Sequence, residues 1–397
     1  MRLKGKKIVL GATGSIAIIE VPKLIKELRN RGAEVIVTLT KSAQEFLTPK
    51  LLEFFSKNAV ITEITGQAEH VKLLGTDGEA DLLIIAPATL NTICKIGEGI
   101  TDTCVTILAS TAIGSGKPVI IAPAMSLALF NNPILVKKLE KLKKIGVEIV
   151  NPRIEGNKAK IAETERICLH VERAVYKHDL KDKKIVVTSG PTFEYIDSIR
   201  FLSNKSSGLM GRELALEAWR RGARVTHISS KPINLDLPNF KEIKIVSVKE
   251  MLDAVLSEIR NCNLFISAAA PLDFTIEDKI DKKLKSNEKV KIKLKVFPKI
   301  IKEVRKIYSG HIIGFKAEVG VGDEELYKIA INKMIDDKLE MVVANDVAEK
   351  GMGTVDSKVL ILSKKSKTWC EGLKTYVAKK ILDVYVKDYL CSSHQQV

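Results

Sequence analysis

The sequence has few of the residues that mark several classes of protein. Its six cysteines include no Cys-x-x-Cys pair and no metal-ligand spacing, which indicates a reduced, cytoplasmic protein. No apolar run approaches the roughly 20 residues of a membrane helix, and a lysine-rich start leads directly into a predicted strand, so we expect neither anchor nor signal peptide. Aromatic residues make up only 5%, and the net charge of +16 is spread along the chain. This pattern indicates solvated helix faces rather than a surface that binds nucleic acid.

The chain repeats its own opening. LKGKKIV at 3–9 returns as LKDKKIV at 180–186, and RGAEV at 31–35 returns as RGARV at 221–225. Each pair predicts a buried strand, a helix that ends in Arg-Gly, and a second strand. Two such openings in 397 residues predict an α/β protein of two tandem Rossmann-like, three-layer domains, 1–178 and 179–397.

Three apolar strands of the first domain end in small polar residues: KIVLGAT (7–13), ADLLIIAPATLNT (80–92) and PVIIAPAMS (118–126). Ligands of open α/β sheets bind at this edge, so we interpret it as a flavin-type crevice. The turn GATGS lacks a full GxGxxG and suits a mononucleotide as well as a dinucleotide. We expect His70 in a loop that faces these strand ends, although a single histidine is more often structural.

Residues 188–211, TSGPTFEYIDSIRFLSNKSSGLMG, carry the clearest functional signal of the second domain. A strand runs into a turn, a polar insertion and a Ser-Ser-Gly at a predicted helix start. Unpaired N–H groups and the helix dipole suit a phosphate there. Arg200, Asn204 and Ser206 add side-chain donors, which indicates a site for a nucleotide phosphate and a carboxylate.

These motifs resemble the bifunctional phosphopantothenoylcysteine decarboxylase/phosphopantothenate–cysteine ligase family of coenzyme A biosynthesis. The matching pieces of the second half are the 188–211 motif, SAAAPLDF (267–274), Lys283-Leu-Lys285, GFKAE (314–318) and VVANDV (342–347). Those of the first half are GATGSIA, the TKSA that starts at Thr40, the His70 segment, APATLNT and PAM.

For the first half, the resemblance implies a flavodoxin-like FMN protein that decarboxylates 4′-phosphopantothenoylcysteine to 4′-phosphopantetheine. The flavin supplies the electron sink that a simple carboxylate lacks when CO₂ leaves. His70 matches the catalytic histidine. The positions assigned to FMN are Gly11, Thr13, Ser15, Thr40, Ala88, Thr89 and Ser110. Those assigned to the substrate are Asn91, Met125, Ser126 and Lys160.

For the second half, the resemblance implies a ligase that activates 4′-phosphopantothenate with CTP and passes the acyl group of the acyl cytidylate to cysteine. Asn204 and Lys283 match its catalytic residues. Mg²⁺ is expected to accompany CTP, with Asp273 as a candidate ligand. The substrate and nucleotide positions are Gly190, Arg200, Ser206, Ser207, Gly208, Ala269, Asp273, Lys283, Lys285, Phe315, Asn345 and Asp346.

Two positions and one segment depart from the family pattern. Ser126 replaces an asparagine that holds the substrate carboxylate, and Leu209 replaces a lysine. The segment 155–164 lacks the flap cysteine that acts as an acid in bacterial members. We expect Lys158 or Lys160 to supply the proton or to bind phosphate, and Lys160, or a water that it holds, is the candidate proton donor.

Two alternatives stay open. A pair of NAD-dependent Rossmann domains is disfavoured because neither half has GxGxxG followed by a ribose-binding acid. The other alternative is a ligase whose first domain binds flavin and has a regulatory role. We expect a homo-oligomer with 4′-phosphopantothenate, cysteine and CTP as its small-molecule substrates, and neither nucleic acid nor membrane as a partner. The sequence does not decide whether the ligase uses CTP or ATP.

Overall fold

A computed structural model describes residues 1–278, 282–283, 291–348 and 350–391. The chain divides into two compact units, Met1–Lys177 and His178–Val397. No helix in these described ranges is long and apolar enough to cross a membrane.

The first unit is built on a five-stranded parallel sheet with strand order β2-β1-β3-β4-β6. Counted within the sheet, this is the 2-1-3-4-5 order of flavodoxin-like folds, which confirms the predicted fold. A small antiparallel sheet, β5-β8-β7, stands apart from it. The strands are β1 (Lys7–Ala12), β2 (Glu34–Leu39), β3 (Leu82–Ala88), β4 (Val119–Pro123), β5 (Met125–Ser126), β6 (Glu148–Ile149), β7 (Arg153–Glu155) and β8 (Lys158–Lys160).

Helices cover both faces of this sheet. Successive residues of a strand point to opposite faces, so Ile8 and Leu10 pack with α1 and α9, whereas Val9 packs with α6. The result is the three-layer arrangement that the apolar strands predict. The helices are α1 (Val21–Asn30), α2 (Lys41–Gln44), α3 (Pro49–Ser56), α4 (Glu69–Leu74), α5 (Leu90–Glu98), α6 (Cys104–Gly114), α7 (Leu127–Phe130), α8 (Pro133–Lys144) and α9 (Thr164–Val175), with a 3₁₀ turn at Ile16–Glu20 before α1.

The second unit has an eight-stranded sheet in the order β13-β12-β9-β14-β17-β18-β19-β20. Its six parallel strands follow the Rossmann order 3-2-1-4-5-6, and β19 and β20 continue it as an antiparallel pair. The small pairs β10-β11 and β15-β16 lie outside it. The strands are β9 (Lys184–Ser189), β10 (Glu194–Tyr195), β11 (Phe201–Leu202), β12 (Arg224–Ser229), β13 (Phe240–Lys244), β14 (Leu264–Ser267), β15 (Phe274–Ile276), β16 (Leu294–Val296), β17 (His311–Glu318), β18 (Met341–Asp346), β19 (Asp356–Ser363) and β20 (Lys367–Leu373).

The helices of the second unit also form two layers. One face of the sheet shares a core with α11, α12 and α13, and α10 packs with α14. Buried Arg221, just after α10, fastens that helix to α14 through an ion pair with Asp383. The helices are α10 (Leu209–Arg220), α11 (Val248–Glu258), α12 (Ile300–Arg305), α13 (Asp323–Asp336) and α14 (Lys374–Tyr385), with a 3₁₀ turn at Ile259–Asn261 and a π-helical turn at Val386–Leu390.

Candidate functional site

In the second unit, the ends of β14, β17 and β18 and the start of α10 line a cavity of about 460 Å³. It lies beside the point between β9 and β14 where the strand order reverses, which is where open α/β sheets bind their ligands. Eight of the predicted positions line it: Asn204, Ser206, Ser207, Gly208, Ala269, Asp273, Phe315 and Asn345.

Glycines bring the start of α10 against the end of β9. Gly208 and Gly190 both have positive φ angles, +77° and +80°. A Cβ on Gly208 would lie 3.1 Å from the Cα of Gly190, and one on Gly211 would lie 2.3 Å from the Cβ of Ser189. Gly190 therefore supports the helix start from behind and does not itself line the cavity.

The first turn of α10 presents N–H groups to the cavity. The hydroxyl oxygens of Ser206 and Ser207 accept hydrogen bonds from the N–H groups of Gly208 (3.3 Å) and Leu209 (3.4 Å). The next two residues, Met210 and Gly211, line the cavity, and within the described ranges their N–H groups have no hydrogen-bond partner. Free N–H groups at the positive end of a twelve-residue helix suit a phosphate.

Asn204 connects the polar insertion to the cavity wall. Its side-chain N–H group donates to the carbonyl oxygen of Ala270, and its side-chain oxygen accepts from the N–H of Ser206 at 2.9 Å. The Lys231 ammonium donates to the carbonyl of Ser206 at 3.1 Å. The amide of Asn204 is thereby held in one orientation at the edge of the cavity.

Arg200 and Asp346 do not line the cavity. Arg200 donates to the buried carboxylate of Asp197 at 2.6 Å, in the turn between β10 and β11. Hydrogen bonds from the N–H groups of Ala348, Gly320 and Val321 lower the pKa of the Asp346 carboxyl, which fastens the loops after β17 and β18. In this structure both side chains stabilise loops.

Three further predicted positions concern charge near the nucleotide. Asp273 is exposed at the cavity, and Lys283 is exposed between β15 and β16 in the chain. Lys285 lies outside the described residues. Among the residues that the structure describes, no group of three or more His, Cys, Asp or Glu side chains could hold a metal ion.

Sequence reasoning assigned no role to four lysines that line the cavity. Lys299 directly precedes α12, Lys316 lies in β17, Lys333 pairs with Asp337 at 2.8 Å, and Lys374 begins α14. Lys316 belongs to the GFKAE motif, which was a signal for it. The other three had none, because lysines are common throughout this chain and only the fold brings these to one place.

In the first unit, predicted FMN positions gather at the ends of β1 and β3, where the strand order reverses. The Thr13 hydroxyl donates to the carbonyl of Pro87 at 2.8 Å and accepts from the N–H of Thr89 at 3.0 Å. Ser15 caps the 3₁₀ turn and contacts the carbonyl of Ala124, which follows β4. Thr40 caps α2 at the end of β2, and Ala88 ends β3.

Two other predicted FMN positions lie elsewhere. Gly11 is buried within β1, and a Cβ there would lie 3.1 Å from a methyl group of Val105, so this glycine lets α6 approach the sheet. Ser110 is exposed on α6. It lies six residues after Cys104, the first residue of this helix, which is roughly 9 Å along the helix axis. One chain alone does not bring Ser110 to the strand ends.

The expected loop position of His70 is wrong, because this residue lies in the short helix α4. The N–H and hydroxyl of Thr65 donate to the Glu69 carboxylate and fix the start of this helix. α4 packs against α6, and the Ser115 hydroxyl donates to the carbonyl of Leu74. The Nδ1 atom of His70 is buried and has no hydrogen-bond partner in the part of the chain that the structure describes.

The segment without a flap cysteine forms the hairpin β7-β8, which pairs with β5. Ser126 lies opposite Lys158, and Met125 lies opposite Ala159, so the hairpin joins two of the predicted substrate positions. Lys160 is exposed and forms an ion pair with Glu155. Asn91 is exposed near the start of α5. Cys168 is fully buried in α9, where burial raises the pKa of its thiol.

Comparison with known proteins gives matches along most of the chain. Residues 1–175 match the Flavoprotein family, and residues 180–389 match the family of DNA/pantothenate metabolism flavoprotein C-terminal domains. The coenzyme A biosynthesis bifunctional protein CoaBC of Thermococcus kodakarensis is 42% identical over 369 residues, 91% of this chain and 90% of that protein. The protein of the same name from Methanocaldococcus jannaschii is 36% identical over 385 residues, 96% and 93% of the two chains.

Solved structures are similar as well. The DNA/pantothenate metabolism flavoprotein of Streptococcus pneumoniae is 25% identical, with 52% of this chain and 99% of that chain covered and a TM-score of 0.47. Extended identity to curated relatives of nearly full length, together with both domain matches, places the chain in one family. It belongs to the family of bifunctional coenzyme A biosynthesis proteins CoaBC, a flavoprotein domain followed by a C-terminal DNA/pantothenate metabolism flavoprotein domain.

Proposed function

We propose that this bifunctional decarboxylase and ligase of coenzyme A biosynthesis uses its two units for consecutive reactions. The second unit joins cysteine to 4′-phosphopantothenate, and the first decarboxylates the resulting 4′-phosphopantothenoylcysteine to 4′-phosphopantetheine. The observation that carries the proposal is the cavity of the second unit, where Asn204, the helix start at Gly208 and Phe315 meet at the reversal of strand order.

The ligase half has the groups that carboxylate activation requires. A carboxylate is a poor electrophile, so CTP converts it to an acyl cytidylate and pyrophosphate leaves. The free N–H groups of Met210 and Gly211 would bind phosphate oxygens, and Lys283 would compensate the charge that develops on the leaving group. Asn204 would then orient the acyl group for cysteine. With no carboxylate cluster among the described residues, Mg²⁺ would arrive on the triphosphate, and Asp273 stays a predicted contact.

The decarboxylase half fits FMN at the ends of β1 and β3. Thr40, Thr89 and Ser15 lie at that edge, and the buried, unpartnered Nδ1 of His70 is a polar atom available to a ligand. When bound, the flavin accepts and returns a hydride, which gives the substrate an electron sink for loss of CO₂. His70 would hold a proton near the reacting thiol, and Ser126 would donate to the substrate carboxylate.

We propose that a second copy of the chain completes the flavin site. His70 and Ser110 belong to the packed helices α4 and α6, respectively, and no described hydrogen bond connects them to the hydrogen-bonded pair Thr13 and Thr89. In a homo-oligomer these two residues would contact flavin held by the neighbouring copy. We place this enzyme in the cytoplasm, consistent with six cysteines that are all free.

A second candidate function follows from the hairpin β7-β8. It carries no cysteine, and Cys168 is buried in the core, so the family's usual acid is absent from the hairpin. The first unit could therefore bind flavin and regulate the ligase with weak or no decarboxylation.

Incubation of the purified protein with 4′-phosphopantothenate, cysteine, CTP and Mg²⁺, followed by mass analysis, tests the proposal. We expect 4′-phosphopantetheine, CMP and CO₂. Accumulation of 4′-phosphopantothenoylcysteine at the same rate of CMP release would favour the regulatory candidate. Absence of any cysteine adduct would refute the ligase assignment, and replacing CTP with ATP measures the nucleotide preference.

A further inference from the structure

One part of the cavity in the second unit lies away from the start of α10. Its walls include Ile300 and Ile301 at the apolar start of α12, and Phe315 of β17. Strand β14 separates β17 from β9, the strand that precedes α10, so two strand spacings, roughly 10 Å, lie between them. A nucleotide whose phosphates bind at the start of α10 would therefore extend its base into this apolar part, where an aromatic ring suits a planar base.

Two charged side chains from the end of α13 belong to the same part of the cavity. Lys333 and Asp337 both line the cavity, and the Nζ atom of Lys333 donates to Oδ2 of Asp337 at 2.8 Å. A Cβ on Gly314, the residue before Phe315, would lie 3.6 Å from both the Cε atom of Lys333 and the Cδ1 atom of Ile301. The apolar part therefore holds one ammonium and one carboxylate side by side.

The stability of α13 does not account for the carboxylate of Asp337. This residue is the C-terminal cap of α13, where the helix dipole disfavours a negative charge. Only 8% of its surface is exposed, so the charge is also largely removed from water. Among the described residues, Lys333 is the only partner of this carboxylate, and no group donates to Oδ1. A ligand with a hydrogen-bond donor would satisfy that oxygen.

The pair of charges matches the pairing edge of an amino base. Cytosine has an amino group, which donates, beside the acceptor N3, and adenine has an amino group beside the acceptor N1. Oδ1 of Asp337 can accept from the amino group, and the ammonium of Lys333, which has two further N–H groups, can donate to the ring nitrogen. Uracil and hypoxanthine have a keto oxygen and a ring N–H at these positions, so the same two charges would repel them.

We propose that Asp337 selects the nucleotide of the ligase by accepting a hydrogen bond from the amino group of the base. This inference rests on the proposed activation of the carboxylate by a nucleoside triphosphate. It assigns the class of that nucleotide, which is a triphosphate of cytosine or adenine rather than of a base with a keto group at this position. Lys333 positions the carboxylate and donates to the ring nitrogen of the base.

The variant Asp337→Asn tests this role. In reactions without cysteine, kcat/KM for acyl-nucleotide formation is measured with CTP against UTP and with ATP against ITP, two pairs that exchange an amino for a keto group. The parent should prefer one amino nucleotide to its keto counterpart by about 10²-fold, and the comparison of CTP with ATP identifies the base. An asparagine amide can also donate to a keto oxygen. The variant should therefore lose roughly 10- to 10²-fold of this preference, with a higher kcat/KM for the keto nucleotide than the parent has.

The control is Asp336→Asn, at the adjacent, exposed aspartate of α13, which does not line the cavity. It should keep the parental preference. Equal losses with the amino and the keto nucleotide in Asp337→Asn would assign Asp337 to the stability of α13 and overturn the proposal, and so would an unchanged preference. A parent that uses UTP as well as CTP, and ITP as well as ATP, would overturn it whether or not the variant folds. A parent that forms no acyl nucleotide with any triphosphate would instead refute the proposed ligase reaction.

Discussion

The side chain of Asn204 donates a hydrogen bond to the carbonyl of Ala270, across the opening of the cavity in the second unit. The segment before α10 and the segment after β14 are thereby joined at one amide. Because the oxygen of this amide also accepts from Ser206, its orientation is fixed before substrate arrives. Preorganisation of this kind favours a step in which the acyl group must be held in one geometry.

Asn204→Asp should separate the two half-reactions of the ligase. An aspartate keeps the oxygen that accepts from Ser206 but loses the donor to Ala270. The N–H groups at the start of α10 remain, so acyl cytidylate should still form. Transfer should fall about 10²-fold for cysteine and hydroxylamine alike, because positioning rather than proton removal is lost. Mass spectrometry of stopped reactions with and without nucleophile measures both steps.

The matched control for Asn204 is Asn263→Asp. The side-chain oxygen of Asn263 accepts from the N–H of Lys184 at 2.8 Å, at the opposite edge of the sheet. This variant should keep parental rates in both steps. Parental transfer in Asn204→Asp would remove Asn204 from the acyl-transfer step.

Lys283→Gln should block the earlier step. Its cation is predicted to compensate charge on the departing pyrophosphate, and the variant should therefore accumulate little acyl cytidylate. Lys282→Gln is the control, because Lys282 is the adjacent exposed lysine. Full-rate formation of the intermediate in Lys283→Gln, or equal losses in both variants, would contradict a specific role for Lys283.

His70→Asn should lower CO₂ release about 10²-fold or more while FMN content and ligation stay at parental levels. The buried Nδ1 of His70 has no described partner, so removal of this atom breaks no hydrogen bond among the described residues. Flavin absorbance and the ligase assay monitor integrity, and His178→Asn, at an exposed position, is the control. Normal CO₂ release by His70→Asn would exclude this histidine from the mechanism.

Lys160→Ala should stop the decarboxylase after CO₂ has left, with an enethiol product and the flavin still reduced. Lys160 is exposed on the same hairpin that pairs with Ser126, the proposed contact of the substrate carboxylate, whereas Cys168 is fully buried. Flavin absorbance and mass analysis show the stalled state. Parental turnover in Lys160→Ala combined with a stall in Cys168→Ala would mean that the flap is assigned to the wrong segment.

The parts of this architecture that could be predicted from the sequence depend on local patterns. The repeated KKIV segments lie at the starts of β1 and β9, and Ser206-Ser207-Gly208 lies directly before α10. Apolar strands and helix starts depend on neighbouring residues, so one sequence is enough to locate them.

The remaining features depend on contacts between distant segments. Helix α4 has six residues, too few for a helical period to be recognised, so the sequence predicts a loop at His70. The sequence predicts that Arg200 binds substrate. Its hydrogen bond to Asp197 forms only because the turn between β10 and β11 brings the two side chains together. Lys374 reaches the cavity because β19 and β20 return the chain to it.

The final prediction concerns acid stability and a buried chain of hydrogen bonds behind the start of α10. The Ser189 hydroxyl lies 2.6 Å from Nε2 of His227, and Nδ1 of His227 lies 3.0 Å from Glu242. Burial alone would raise the pKa of the Glu242 carboxyl. Hydrogen bonds from His227 and from the N–H groups of Ile233 and Asn234 outweigh burial and leave this pKa below its ordinary value.

A carboxyl group whose pKa is lower in the folded state stabilises the protein above its unfolded pKa, about 4.3 for glutamate. That stabilisation is lost as the pH falls through the lower, folded pKa. Glu242→Gln should therefore reduce the free energy of unfolding at pH 7 by roughly 1–2 kcal/mol, and by much less near pH 3. Both tryptophans, Trp219 and Trp369, lie in the second unit, so their fluorescence during urea unfolding reports on this unit alone. An equal loss of stability at both pH values would show that the carboxylate charge contributes nothing and that packing alone holds Glu242 in place.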